Sequence, residues 1–405
     1  MTTDPQSDGE RWQHSVPLDR KYWADNPNYL TTIPPRISKY AQVSDDALIQ
    51  LHIDMVGKRN IGVADGLLCR IGNFASVVYA EAPPEMVALI AYANEIAVFY
   101  DDFDVYGPDN DSIGLTSSSV LPTYYQNLDM EVEGPIWKAR GKETLFKIFS
   151  LFSRADAALG KELFDQFNAW KASERNVQKR FDDYKDLQQY ITDRSNDYGW
   201  PYVLVCMKLG TNIHLTKDEE AAIEHVFRPM KHQALLVNDL LSYDKELRQH
   251  EISGGKIPLI NAVALLMRWS GQSAEDAKAS LRETCLNLDS EYFTLKGEYF
   301  KKWKGNISPS SARWFDLFEL AISGNNWWMI MSYRHSSSPD GSAYRAHYER
   351  RCKQGAVWAD DCTESEDILV ESIAPGLEEK RRPGQSQPLT NRSARRYKTQ
   401  HPLSD

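Results

Sequence analysis

Asn238, Ser242 and Glu246 stand four residues apart within NDLLSYDKE. On an α-helix a step of four advances about 40° around the axis and about 6 Å along it, so these three oxygen-bearing side chains line one edge. An amide oxygen, a hydroxyl and a carboxylate suit a hard cation such as Mg²⁺, which takes oxygen donors and keeps room for water or phosphate. Lys245, next to the last of them, adds an ammonium where a phosphate could sit. Alone, such a row is more often the solvated face of an amphipathic helix. A second acidic cluster upstream shifts the balance.

That cluster is Asp101, Asp102 and Asp104, in NEIAVFYDDFDVYG. The preceding EMVALIAYANEIAVFY is almost wholly apolar and follows Pro83 and Pro84, which fits a buried helix with proline in its first turn. Carboxylates at the C-terminal end of a helix oppose its macrodipole and cost stability unless a cation compensates. The plainer alternative is a solvated helix end entering the loop YGPDNDSIG. That loop offers Asp109 and Asp111 but lacks the glycine placement and distal glutamate of an EF-hand.

With both clusters in view, the chain resembles the class I terpene synthases, whose two metal motifs are a DDxxD-like run and (N/D)Dxx(S/T)xx(K/R)(D/E). The stretches IGNFASVVYAEAPPEMVALIAYANEIAVFYDD and LLVNDLLSYDKE are similar to the cyclase domain of the fungal bifunctional (chimeric) di- and sesterterpene synthases. The likeness runs from about Tyr22 to about His335. It implies an all-α bundle around a central apolar pocket, with Asp101 and Asp102 on one side of a Mg²⁺ cluster, three ions in this family, and Asn238, Ser242 and Glu246 on the other.

In YITDRSNDYGW the resemblance implies a diphosphate-sensing Arg194, a linker Asp197 and an effector Gly199 whose carbonyl faces the substrate at a helix break. The chemistry agrees: arginine presents a planar fork of donors, and glycine lets a helix open. Without the other motifs, Arg194 and Asp197 would read as a surface ion pair. Two departures from the family pattern stand out. DDFDV places its third acid, Asp104, one position early, and SGNNWWMIMSYRHSS carries Tyr333 and Arg334 in the reverse of the family's Arg-Tyr order. Reversal on a helix turns each side chain by about 100°.

The elements that must hold these residues read as helices. Apolar residues recur at three and four around 44–57, 85–101, 142–172, 178–198, 217–247, 256–269, 274–303 and 309–332. In 142–172 the expected apolar side is Phe146, Phe149, Phe152, Leu159, Leu163, Phe167 and Trp170. The expected division is a flexible segment 1–20, a cyclase domain 21–340, and a polar tail or linker 341–405, its last thirty or so residues disordered. The 405 residues, 42% hydrophobic, are enough for one large helical core.

A net charge of −10 argues against nucleic acid as a partner. Cys69, Cys206, Cys285, Cys352 and Cys362 are scattered and odd in number, which points to a reducing compartment. The polar start MTTDPQSDGERWQHS and the lack of a membrane-length apolar run give a cytoplasmic expectation.

The expected function is Mg²⁺-dependent ionisation of a linear polyprenyl diphosphate, geranylgeranyl or geranylfarnesyl by family likeness. Cyclisation of the carbocation and release of pyrophosphate would follow. Aromatic faces stabilise cationic carbon, and Phe99, Tyr198, Trp200, Trp327 and Trp328 are the candidate walls, with Trp327 or Trp328 facing the cation. The bifunctional relatives continue into a prenyltransferase domain that makes the substrate. Here it would be supplied in trans or by a C-terminal domain of a longer protein. Two alternatives remain open. One is a chain-elongating prenyltransferase, against which the motif at 238–246 speaks. The other is a degenerate, non-catalytic polyprenyl-diphosphate binder.

Overall fold

The computed structural model describes residues 11–56, 67–106 and 134–335. Among them are eleven α-helices: α1 (Ala41–Val56), α2 (Phe74–Val78), α3 (Pro84–Tyr106), α4 (Gly134–Ala155), α5 (Ala157–Arg180), α6 (Leu187–Asp197), α7 (Trp200–Thr211), α8 (Lys217–Ile252), α9 (Ala262–Ser270), α10 (Ala274–Lys302) and α11 (Pro309–Met331). A two-stranded antiparallel ribbon, β1 (Ser15–Pro17) with β2 (Arg36–Ser38), lies near the start of the chain. The fold is all-α.

Helix α8 is the longest and sits centrally, packed on α10, α11, α6 and α9. Its start is fixed by a capping box: Thr216 accepts the Glu219 amide, and Glu219 returns a bond to the Thr216 amide. The Ser308 hydroxyl also reaches Glu219, and these bonds together hold its carboxyl down to about 2. Across α8, α10 and α11, Phe227, Phe315, Phe318 and Tyr292 form an aromatic cluster, with Phe227 and Phe318 stacked at 3.8 Å. Such contacts add to the burial of each ring.

Residues 30–32 thread between the same helices. Asn326 Oδ1 accepts the Leu30 amide and Gln233 donates to the Leu30 carbonyl. The Thr31 and Thr32 hydroxyls donate to Asp289 at 2.7 and 3.0 Å. These bonds give the polar groups of the crossing partners in the interior, as burial requires.

Several expectations needed correction. The segment expected as one helix over 142–172 is two, because Asp156 leaves helical geometry and its carboxylate caps the amides of Ala158 and Leu159. Phe146, expected on the apolar side, is 77% exposed. The helix expected over 178–198 begins at Leu187, and α7 was not anticipated at all. Residues 11–20, expected to be flexible, are tied to the bundle: the amides of Gln13 and His14 bond to buried Glu81, and Arg11 bonds to Asp316. The tail 341–405, with Cys352 and Cys362, lies outside the described residues. Cys69, Cys206 and Cys285 are buried free thiols. No helix among the described residues is long and apolar enough to cross a membrane.

Candidate active site

Asn238, Ser242 and Glu246 lie on consecutive turns of α8 and open into one cavity of about 230 Å³. The facing wall comes from α3 through Asn94, Ala97 and Val98. A third side is the junction of α6 and α7, with Arg194, Tyr198, Gly199 and Trp200, and a fourth is the end of α11 with the turn beyond it, through Asn325, Trp328, Arg334 and His335. Lys245 also lines the space. Residues far apart in sequence thus converge on one site.

The atoms of the α8 row are divided between held and open. Asn238 Nδ2 faces Met329 Sδ at 3.6 Å and His335 Nε2 at 3.5 Å, and no described residue donates to its Oδ1. Glu246 Oε2 accepts from Asn261 Nδ2 at 2.9 Å, while Oε1 has no such donor among the described residues. Ser242 Oγ is buried and has no hydrogen-bond partner among them. A buried hydroxyl without a partner is costly. Three oxygens of the right hardness, free and on one edge, fit a divalent cation. Among the described residues no three His, Cys, Asp or Glu groups converge as a metal site.

Asp239, absent from the sequence-based candidates, turns away from this edge into the core. Its Oδ2 accepts the Tyr190 hydroxyl at 2.6 Å and the Ala262 amide at 2.9 Å, and Arg194 Nη2 approaches Oδ1 at 3.9 Å. Burial pushes its carboxyl up to about 7, against the pull of Arg194. Asn261, also unanticipated, caps α9 and donates to both the Asp239 carbonyl and Glu246. Arg194 is therefore joined through Asp239 and Asn261 to the α8 row. Only the folded contacts reveal Asn261, whose surrounding residues PLINAV carry no charge pattern.

Gly199 breaks the α6–α7 path with φ of 77°, a left-handed conformation in which glycine carries no Cβ penalty. Its carbonyl accepts the Val203 amide at 3.1 Å. Any bond from that oxygen to substrate would thus use its second lone pair.

Tyr198 donates to Asn325 Oδ1 at 3.1 Å, and burial raises its phenol above the ordinary range. Trp328 spans the cavity edge, its indole donating to the Leu67 carbonyl at 2.8 Å and its ring edge-on to Phe74 and His335. Burial lowers the His335 imidazole well below its usual range.

The placement of the other candidates differs. Trp327 does not line the cavity: it is fully buried, 6.3 Å from the ring of Tyr22. Adjacent residues on a helix point about 100° apart, so Trp328 takes the inward position and Trp327 the core. Arg334 reaches the cavity despite the reversed order, because helix α11 has ended and residues 333–335 form a 3₁₀ turn. Asp101 and Asp102 fall on the last turns of α3, which ends at Tyr106. The side chains of Phe99, Asp101, Asp102, Asp104, Asp197 and Tyr333 lie outside the described residues. Trp170, Phe74 and Tyr202 join the aromatic wall without having been anticipated.

The family model for the C-terminal metal-binding region of terpene synthase family 2 matches residues 153–288, which hold both Arg194 and the α8 row. A terpene cyclase-like protein, flvF, of Aspergillus flavus is 35% identical over 88% of this chain and 96% of its own length. Conidiogenone synthase of Penicillium roqueforti is 28% identical over 82% of this chain, and sesterfisherol synthase of Neosartorya fischeri 25% identical over 80%. The chain spans only 45% and 42% of those two proteins.

Solved structures agree on the fold. A cucumene synthase variant superposes with a TM-score of 0.58 at 11% identity, covering 76% of this chain and 99% of that one. Linalool/nerolidol synthase of Streptomyces clavuligerus gives 0.55 at 12% identity, covering 75% and 98%. A helical bundle with a polar metal edge facing an aromatic pocket defines the class I terpene synthases. This chain belongs to that family and is a terpene synthase of the fungal cyclase type.

Proposed function

We propose that this chain is a Mg²⁺-dependent cyclase that converts a linear polyprenyl diphosphate, geranylgeranyl or geranylfarnesyl, into a polycyclic diterpene or sesterterpene with release of pyrophosphate. The observation that carries the proposal is the set of unpartnered oxygens on Asn238, Ser242 and Glu246, sharing a cavity with Arg194 and an aromatic wall. The names of two further relatives, a cyclopiane-type diterpene synthase of Penicillium chrysogenum and a sesterterpene synthase of Colletotrichum orbiculare, support the chain length.

Asn238, Ser242 and Glu246 would hold Mg²⁺ from α8, and Asp101 with Asp102 would do so from α3. When bound, Mg²⁺ supplies Lewis-acid neutralisation of the diphosphate as the allylic carbon–oxygen bond weakens. Arg194, Lys245 and Arg334 contribute fixed positive charge toward the same diphosphate oxygens. Asp197 would link Arg194 to the Gly199 turn, and Tyr333 would assist Arg334. Tyr198, Trp200, Trp328 and Phe99 would present ring faces to the carbocation and keep water out while it rearranges. The catalytic domain would span 21–340. A prenyltransferase, in trans or in another part of a longer protein, would supply the substrate.

The test is incubation of the purified chain with farnesyl, geranylgeranyl and geranylfarnesyl diphosphates, each with and without Mg²⁺ and with and without isopentenyl diphosphate, followed by mass analysis of hexane extracts. A magnesium-dependent cyclic product from one of the two longer substrates is the expected result. Linear chain extension with isopentenyl diphosphate, and no cyclic product, would make the protein a prenyltransferase instead.

A further inference from the structure

Two asparagines follow one another on α11 and meet different surroundings. Asn326 turns into the core, where both ends of its amide are used: Oδ1 accepts the Leu30 amide, and Nδ2 donates to Gln233 Oε1 and the Ile322 carbonyl, each at 3.1 Å. Asn325 turns into the reaction cavity and is only 2% exposed. Its Oδ1 accepts the Tyr198 hydroxyl at 3.1 Å, but its Nδ2 is buried and has no hydrogen-bond partner among the described residues. Burial holds the Tyr198 phenol above its ordinary range, so the hydroxyl keeps its proton and donates, which fixes Oδ1 as the amide atom it meets. The open end of the amide is therefore a donor.

A buried donor left unpaired is costly. A polyprenyl chain offers it nothing, because all the oxygens of that substrate belong to the diphosphate. About 9 Å of helix separates Asn325 from Met331 at the end of α11, beyond which Arg334 would meet the diphosphate. The acceptor that suits the site is water, which settles at polar spots of buried cavities and takes several partners there. The Tyr198 oxygen, one hydrogen bond from the same amide, keeps a lone pair for one of its hydrogens.

We propose that Asn325 is a further catalytic residue: its Nδ2 holds the water that ends the reaction, so the product is a cyclic terpene alcohol and not a hydrocarbon. The proposal rests on the cyclase reading and names its product class. Ring faces keep bulk water out while the carbocation rearranges, and Asn325 keeps one molecule in place. One lone pair of that water accepts from Nδ2, and the other forms the carbon–oxygen bond to the final carbocation. The oxonium then gives a proton to the released pyrophosphate, which leaves a neutral alcohol.

The test compares wild type with Asn325→Leu, which keeps the branching of asparagine without its polar atoms, and with Asn325→Met, whose flexible chain fits irregular gaps. Each is incubated with geranylgeranyl and geranylfarnesyl diphosphates and Mg²⁺ in water enriched in heavy oxygen, with circular dichroism and melting curves alongside. The quantity read is the share of heavy-oxygen cyclic alcohols among all cyclic products, which does not depend on overall rate. Wild type should give labelled cyclic alcohol as its main product. Both variants should lower that share by about tenfold, as for one lost buried hydrogen bond, in favour of hydrocarbons formed by proton loss. Should the Leu variant fail to fold, the Met variant carries the comparison.

An active wild type that makes only hydrocarbons would overturn the proposal, as would folded variants that keep the labelled share. A raised KM for the diphosphate with that share unchanged would do so too, since the amide would then be meeting diphosphate oxygen. A wild type that makes no terpene product would remove the cyclase reading on which the proposal stands.

Discussion

The two carboxylate oxygens of Glu246 differ in their surroundings: Oε2 is held by Asn261, and Oε1 is open to the cavity. Groups behind a ligand fix its rotamer, and their loss typically costs about 10–100-fold in metal affinity or activity. Asn261→Ala should therefore raise the Mg²⁺ concentration needed for pyrophosphate release by about that factor. The heat of Mg²⁺–pyrophosphate binding, measured by calorimetry, should weaken in parallel. An unchanged metal requirement in a folded variant would restrict Asn261 to capping α9.

His232, on α8, gives a pH prediction. Burial, aided by Arg228 and Lys231, lowers its imidazole from 6.5 to about 4. Between those values the unfolded chain binds the proton and the folded chain does not, so stability is full above about 6.5 and falls as pH drops toward 4. His232→Gln should lose less melting temperature than wild type across that range. At this scale the α8 row was legible because all its members sit on one helix. Asn261, Asn325, Asp239 and His335 acquire their parts only from partners brought in by other helices. The choice between Trp327 and Trp328 depended on a rotation that no local signal specifies.

Helices α2 and α11 approach so closely that a Cβ added at Gly324 would collide with the Val77 carbonyl. Backbone cannot yield as a flexible side chain does, so Gly324→Ala should destabilise the fold by about 1–3 kcal/mol. Urea denaturation would measure this, with a shifted midpoint and an unchanged slope. Because Phe74 and Val78 of α2 and Trp328 of α11 line the cavity, the same variant should also disturb product distribution.

Long periodic helices such as α8, α10 and α11 were readable from apolar spacing. The division at Asp156 was not, since the apolar pattern continues across it and only the cap geometry reveals the break. Helix α7 was missed because WPYVLVCMKLG is apolar nearly all round, leaving no amphipathic stripe to read.

At the scale of the molecule, one bundle of helices brings an oxygen row, an arginine and an aromatic wall to a single cavity. Its all-α class followed from helical periodicity and from the family resemblance. The location of the opening did not, because it depends on how the α3, α6–α7 and α11 ends meet. The chain spans less than half the length of the conidiogenone and sesterfisherol synthases.

The central claim is that the α8 row holds the metal that ionises a polyprenyl diphosphate. It is tested most directly by pyrophosphate release from geranylgeranyl and geranylfarnesyl diphosphates over a Mg²⁺ series, in wild type and in folded Asn238→Ala and Glu246→Ala variants. The account predicts magnesium-dependent release in wild type and its loss in both variants, with circular dichroism unchanged. Release at wild-type rates in either variant would contradict it.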